Sequence, residues 1–310
     1  MRFFRLILSL LLPLLLTGCF TGIESTPRIT ASDVKRENAQ IVSPEKSYGS
    51  SLVADSLSQW RRGREFRVVD SRIKLLFTST SDGSLPPVGS VIRYLDLMPV
   101  PSLLGDTVTL VRFTSANNPA DTLNYKMDAT PQELRSRPSL TIPFVIDLEL
   151  VSKIDSMLKG KTLYPLTPTR YVNGGERVLR SKFMPVTVVS VTPGNTDFPL
   201  SVNFTQSGDP VTYSLLMSAG TGKLSTRNFD SLFSLTDPRA NYPLITDENW
   251  EAITHGMVRP DMTRDECRLS LGSPAEVLHG HSYSSTYERW IYPSGTMLEF
   301  EDGLLKNFRR

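Results

Sequence analysis

The chain has 310 residues but only two cysteines and three histidines. It lacks any His-Glu-x-x-His zinc signature, any Gly-x-Ser-x-Gly nucleophile elbow and any complete phosphate-binding loop. Ala219-Gly220-Thr221-Gly222-Lys223-Leu224-Ser225 comes nearest to such a loop. It has Met217 where the first glycine belongs and Leu224 where a magnesium-binding hydroxyl belongs, so it reads as a hairpin turn. His279-Gly280-His281 offers two imidazoles without a nearby carboxylate or cysteine and reads as a surface loop. No catalytic residue, metal site or cofactor is expected. Charge of one sign is missing too, with 34 basic against 32 acidic residues. Nucleic-acid binding needs clustered Lys and Arg, so a nucleic-acid partner is not expected. No apolar run reaches the roughly 20 residues that a membrane-spanning helix requires.

The first chemistry present is at the N-terminus. Arg2 and Arg5 precede an apolar run from Leu6 to Leu16, which ends in Leu16-Thr17-Gly18-Cys19. A basic start, a short apolar core and small residues at the cut describe a signal peptide. The last four residues resemble the lipobox of bacterial lipoproteins. The resemblance implies a diacylglyceryl group on the Cys19 sulfur, cleavage before Cys19 and acylation of the new amine. The membrane is then a partner through that lipid alone. Removing residues 1–18 takes both arginines with it and leaves 32 basic and 32 acidic residues. Cys267 then has no partner within the chain, so stability rests on packing rather than on disulfides. Phe20 follows the lipidated cysteine and does not resemble an inner-membrane retention signal. The expected place is the outer membrane, on its periplasmic side or at the cell surface.

Residues 19–50 are rich in Ser, Thr, Pro, Glu and Lys and read as a tether. Residues 51–147 and 148–246 read as two similar β-rich modules. Setting Gly63 on Gly160 matches Val53 with Leu150, Leu57 with Ile154 and Trp60 with Met157, the spacing of one helix face. Both glycines then suit a helix C-terminus, and Arg61, Arg62 and Arg64 suit a solvated helix end. Asp106 to Phe113 likewise parallels Asp197 to Phe204, with Pro119 and Pro210 following at equal spacing. Short strands punctuated by turn residues predict small barrels or sandwiches. They loosely resemble bacterial SH3-like barrels, which implies a cell-wall or glycan-binding role as an alternative function.

Residues 247–310 predict the order helix, helix, strand, strand, strand. Thr246 or Asp247 caps a first helix that Gly256 ends. Thr263 and Glu266 form a capping box for a second helix, which Gly272 and Pro274 stop. Asp302-Gly303 predicts a tight hairpin. Ile253, Gly256, Met257, Met262-Thr263, Leu271-Gly272-Ser273-Pro274, Trp290-x-Tyr292 and Leu298-x-Phe300 resemble the SmpA/OmlA, or BamE-like, domain. The resemblance implies an envelope lipoprotein that acts by contact rather than catalysis, with another envelope protein as partner. Its founding members belong to the outer-membrane β-barrel assembly machinery and lack the β-rich segment 51–246.

The fold class expected is therefore α+β: two β-rich modules, then an ααβββ domain. Trp290 and Tyr292 alternate onto one face of their strand and form, with Arg289, a candidate interaction surface. The competing reading packs both aromatics under the helices with Leu298 and Phe300, which leaves Arg289 and Ile291 on the open side.

Overall fold

Three sheets, each with its own apolar core, follow one another along the chain. The computed structural model describes residues 44–80, 85–101, 107–115, 121–172, 177–179, 181–220, 227–281 and 285–310. Cys19 and residues 20–43 of the expected tether lie outside the described residues, whereas residues 44–50, also read as tether, form a helix whose Tyr48 packs on Phe229 and donates to the Met157 carbonyl at 3.0 Å. Ser43–Arg310 forms a single compact unit.

The first sheet contains β1 (Glu65–Val68), β2 (Phe77–Ser79), β3 (Val91–Pro101), β4 (Thr107–Ser115), β5 (Thr122–Met127) and β6 (Val145–Asp147). Its order is β2-β5-β4-β3-β1-β6. The second contains β7 (Thr162–Pro165), β8 (Thr169–Val172), β9 (Arg177–Leu179), β10 (Val186–Pro193), β11 (Leu200–Gln206), β12 (Asp209–Met217) and β13 (Phe233–Ser234). Its order is β13-β7-β10-β11-β12-β8-β9. Read from the β6 and β13 ends, the two orders coincide through six strands, and β9 is an addition. Both sheets curl into half-barrels, and the class is α+β with mostly β content.

The correspondence reaches individual residues. Tyr94 pairs with Phe113 in the first sheet, and Val188 pairs with Phe204 in the second. The next residue on β3 or β10, Leu95 or Val189, is skipped in the register, so both sheets carry a bulge at the same step. A bulge bends its strand and sharpens the local twist, which suits a sheet that must curl. Beyond the bulge, Arg112 clasps Asp96 at 2.6 Å, and Asn203 donates to the Ser190 hydroxyl at 3.2 Å. Phe113 and Phe204 are both fully buried. Phe113 packs edge-on against Phe66 and Tyr94.

The helix expected over residues 51–62 is not formed. Helix α1 (Pro44–Ser51) ends early, and only a 3-10 turn at Leu57–Gln59 follows. Leu52 is buried in the core of the second sheet, whereas Leu57 and Trp60 are buried in the first. A straight helix cannot serve both cores, so the chain extends at Ser56 and crosses between them. The matching segment of the second sheet is a true helix. There α3 (Leu148–Leu158) is capped by the Asp147 carboxylate and buries Leu150, Val151, Ile154 and Leu158.

Arg64 does not stand at a solvated helix end as expected, because its side chain is only 2% exposed. It bonds Asp147 at 2.6 Å, Glu149 at 2.9 Å and Asp55 at 3.2 Å, and lies over the Trp60 ring. One guanidinium thus ties the crossing segment, β1 and the start of α3 together.

Helix α2 (Pro131–Ser136) caps the first core with Leu134, and α4 (Phe229–Leu232) caps the second with Phe229 and Leu232. Helices α5 (Asp247–Thr254) and α6 (Arg264–Leu271) then lead into a third sheet. It consists of β14 (Glu276–His281), β15 (Thr286–Ile291), β16 (Met297–Glu301) and β17 (Leu304–Arg309), in sequential antiparallel order. The sequence predicts three strands here, and β14 is the fourth. His279 and Gly280, read as loop, pair with Glu288 and Tyr287.

Candidate interaction surface

Local signals fix the frame of this C-terminal layer. Thr263 Oγ1 accepts from the Glu266 amide at 3.2 Å, and Glu266 Oε2 accepts from the Thr263 amide at 2.7 Å, closing the capping box. Gly256 and Gly272 end the two helices at φ 65° and 86°. Asp302 and Gly303 both take positive φ, the type I′ geometry that joins β16 to β17 without splaying them.

The helices cover one face of the sheet, and β15 shows which residues go where. Trp290 is 1% exposed and Tyr292 6%. Both belong to a core with Ile253, Met262, Cys267, Leu298, Phe300 and Leu305. Trp290 packs on Phe300 at 4.7 Å between ring centroids, and the Arg268 guanidinium lies over its ring at 5.0 Å. Its indole N–H donates to Glu288 at 3.2 Å. The Tyr292 hydroxyl donates to the Gly272 carbonyl at 3.1 Å, so the two halves of the Leu-Gly-x-Pro and Trp-x-Tyr pattern meet in space. Trp290 and Tyr292 are therefore core residues and not an open contact surface. Burial of this apolar area outweighs exposure because the helices already supply matching side chains.

Arg289 points the other way. Its guanidinium bonds Glu299 at 2.7 Å, and the Tyr287 hydroxyl donates to Glu301 at 3.1 Å. Tyr287 is opposite Gly280, and Arg289 is opposite Leu278. Tyr287 and Leu278 are 44% and 45% exposed. Together with Asn307 they line a shallow groove of about 390 Å³ on the outer face. The groove is mixed in character: an aromatic ring and a leucine between paired charges.

Sequence reading missed one further anchor. Lys182 and Phe183, from the segment between β9 and β10, reach into the C-terminal layer. Phe183 joins its core and stacks on Trp250 at 5.6 Å, with φ of 60°. The Lys182 amide donates to the Thr254 carbonyl at 2.8 Å. Its ammonium donates to the Leu269 carbonyl and, at 2.7 Å, to the Ser270 carbonyl. A cation among the last carbonyls of α6 offsets the negative end of that helix. Burial pulls the Lys182 ammonium down to about 8. Nothing in the local pattern around Lys182 marks this contact, since both helix ends come from residues far along the chain.

The remaining chemistry-bearing residues are placed as follows. Cys267 is buried, and burial pushes its thiol up to about 12. His279 Nδ1 lies 3.8 Å from Glu288. Among the described residues, no group of three or more His, Cys, Asp or Glu could hold a metal ion, and no helix is long and apolar enough to cross a membrane. The glycine-rich stretch after Gly220 lies outside the described residues. No protein-family model and no curated protein matches this chain.

Proposed function

We propose that this chain is an exported lipoprotein, held to the outer membrane through Cys19, that works as a non-catalytic adaptor in the manner of SmpA/OmlA (BamE-like) lipoproteins. Its contact surface is the outer face of the C-terminal sheet. The observation that carries this reading is one-sided cover. Helices α5 and α6 bury Trp290, Tyr292, Leu298 and Phe300, while Leu278, Tyr287 and Arg289 stand on the bare side. An antiparallel sheet with one naked face can offer that face to solvent or to a partner. Tyr and Arg are among the residues that dominate binding interfaces.

The alternative role is glycan binding by the two curled sheets, which calls for aromatics along an open groove. The first sheet instead spends its aromatics on its interior. Trp60, Phe66, Phe77, Tyr94 and Phe113 are buried and stack on one another. That disposition favours the adaptor reading.

Photo-crosslinking in cells tests it. A crosslinker at Arg289 or Leu278 is expected to capture one and the same envelope protein. A crosslinker at Glu251, exposed on α5, is expected to miss it. Capture from Glu251 alone contradicts the assignment of the surface.

A further inference from the structure

We propose that the loop carrying Tyr242 and Leu244 is a second membrane contact, which seats in the headgroup–acyl boundary of the bilayer that Cys19 anchors. The inference rests on the lipidation reading above. Leu244 is 96% exposed, the most exposed large apolar side chain among the described residues. It is not presented by a loose loop. Arg239 reaches across its base and donates to the Tyr242 carbonyl at 3.3 Å and to the Ile245 carbonyl at 2.6 Å. The same guanidinium bonds Asp247 and lies over the Trp250 ring, which in turn packs against Tyr242. The backbone is thus pinned on both sides of Leu244, so the leucine is held out in water by construction.

The place of the loop supplies the occupant. The chain enters the described fold at Pro44, and Pro44 and Tyr242 line the same cavity of about 590 Å³. The arm that runs back to Cys19 therefore leaves the fold beside this loop. Cys19 precedes Pro44 by only 25 residues of sequence, so the lipid and this loop are joined by a short stretch of chain. The acyl chains on Cys19 hold the chain to the bilayer, and an apolar side chain seated in the same interface adds to that anchoring in proportion to the apolar area it buries. Leucine and tyrosine suit that role, with tyrosine at home in the interface. The groove beside Leu244 also presents Asp265, Glu266 and Arg268. That mixture of charge predicts an apolar contact indifferent to salt and to anionic lipid.

The test reads the alkylation rate of Leu244→Cys by a membrane-impermeant maleimide. Cys267 is buried and does not compete. The full mature chain, shown by mass to be acylated, is added to preformed phosphatidylcholine vesicles and compared with the Cys19→Ser, Leu244→Cys chain in solution. The rate at position 244 is expected to fall about tenfold, which corresponds to 1.4 kcal/mol, less than burial of a leucine provides. High salt should leave that protection unchanged. Asp128→Cys, just after β5 and with its side chain 86% exposed, should react equally fast in both states. Unprotected Leu244→Cys on a vesicle-bound, acylated chain overturns the proposal. Protection that appears in solution as protein concentration rises overturns it in favour of a second copy. Absence of acyl mass on Cys19 overturns the lipidation reading, and this inference with it.

Discussion

Gly63 and Gly160 hold the same position in two successive sheets. Each has positive φ, 94° and 78°, and each donates its amide at 2.8 Å to a carbonyl on the strand that bulges, Tyr94 for one and Val188 for the other. The return bonds match as well, from the Tyr94 amide to Arg64 and from the Val188 amide to Lys161. A left-handed backbone at the mouth of the first strand of each sheet turns the incoming segment into register. An added Cβ at either glycine meets nothing within 4 Å. The cost of Gly63→Ala and of Gly160→Ala is then conformational alone, about 1–2 kcal/mol each. Urea unfolding of both variants checks this. A loss at one site and none at the other would contradict the equivalence.

Arg64 carries a sharper stability prediction. Three carboxylates surround a guanidinium that is 2% exposed at its side chain. Deleting one side of a buried charge cluster is costly, about 3–5 kcal/mol. Arg64→Ala should therefore lose far more stability than Arg61→Ala or Arg62→Ala, whose side chains are exposed. Thermal unfolding of the three variants decides it, and equal losses would remove the crossing segment's tie.

On β15, two neighbours should behave oppositely. Trp290→Ala removes a buried indole and should cost about 3–5 kcal/mol. Arg289→Ala removes an exposed ion pair, whose contribution is about 0–1 kcal/mol, and should leave the unfolding midpoint nearly unchanged while weakening partner capture. A stable Trp290→Ala protein would contradict the core placement.

Lys182 makes stability depend on pH in a defined direction. Its folded value is lowered to about 8 from the usual 10.5. Between those values the unfolded chain binds the extra proton, so stability rises with pH across that window. The penalty for burying the charge is fully present below about pH 8. Cys267 and Tyr292 act in the opposite sense, since burial raises each to about 12. The comparison is therefore made as wild type minus Lys182→Met between pH 7.5 and 9.5, where the other terms cancel. The wild type should gain on the variant as pH rises, and a flat difference would contradict the buried ammonium.

The parts of the fold legible in the sequence were those set by neighbours along the chain. Thr263 with Glu266, Gly256, Gly272 and Asp302-Gly303 each carry local chemistry that fixes a cap or a turn. The register of Phe113 with Phe204 was visible because a repeated topology leaves repeated spacing. The lost helix at 51–62 was not visible, because only the destination of Leu52 in one core and Leu57 in the other forbids it. Strand β14 was hidden by His279-Gly280-His281, whose polar and glycine content suits a loop until β15 supplies its partner. The candidate surface suffered the same limit. Alternation showed that Trp290 and Tyr292 share a face, but the direction of that face is set by α5, α6 and the segment between them, which deliver Ile253, Cys267 and Met262 to it.

The most direct test of the lipid-anchored reading is the fate of Cys19. Cells expressing the wild-type chain and Cys19→Ser are fractionated, and the mature mass is read from each fraction. The account predicts an acylated wild-type chain, cut before Cys19 and found with the outer membrane. For Cys19→Ser it predicts a soluble chain or an uncut precursor. A Cys19→Ser chain that is processed normally and stays in the outer-membrane fraction would contradict it.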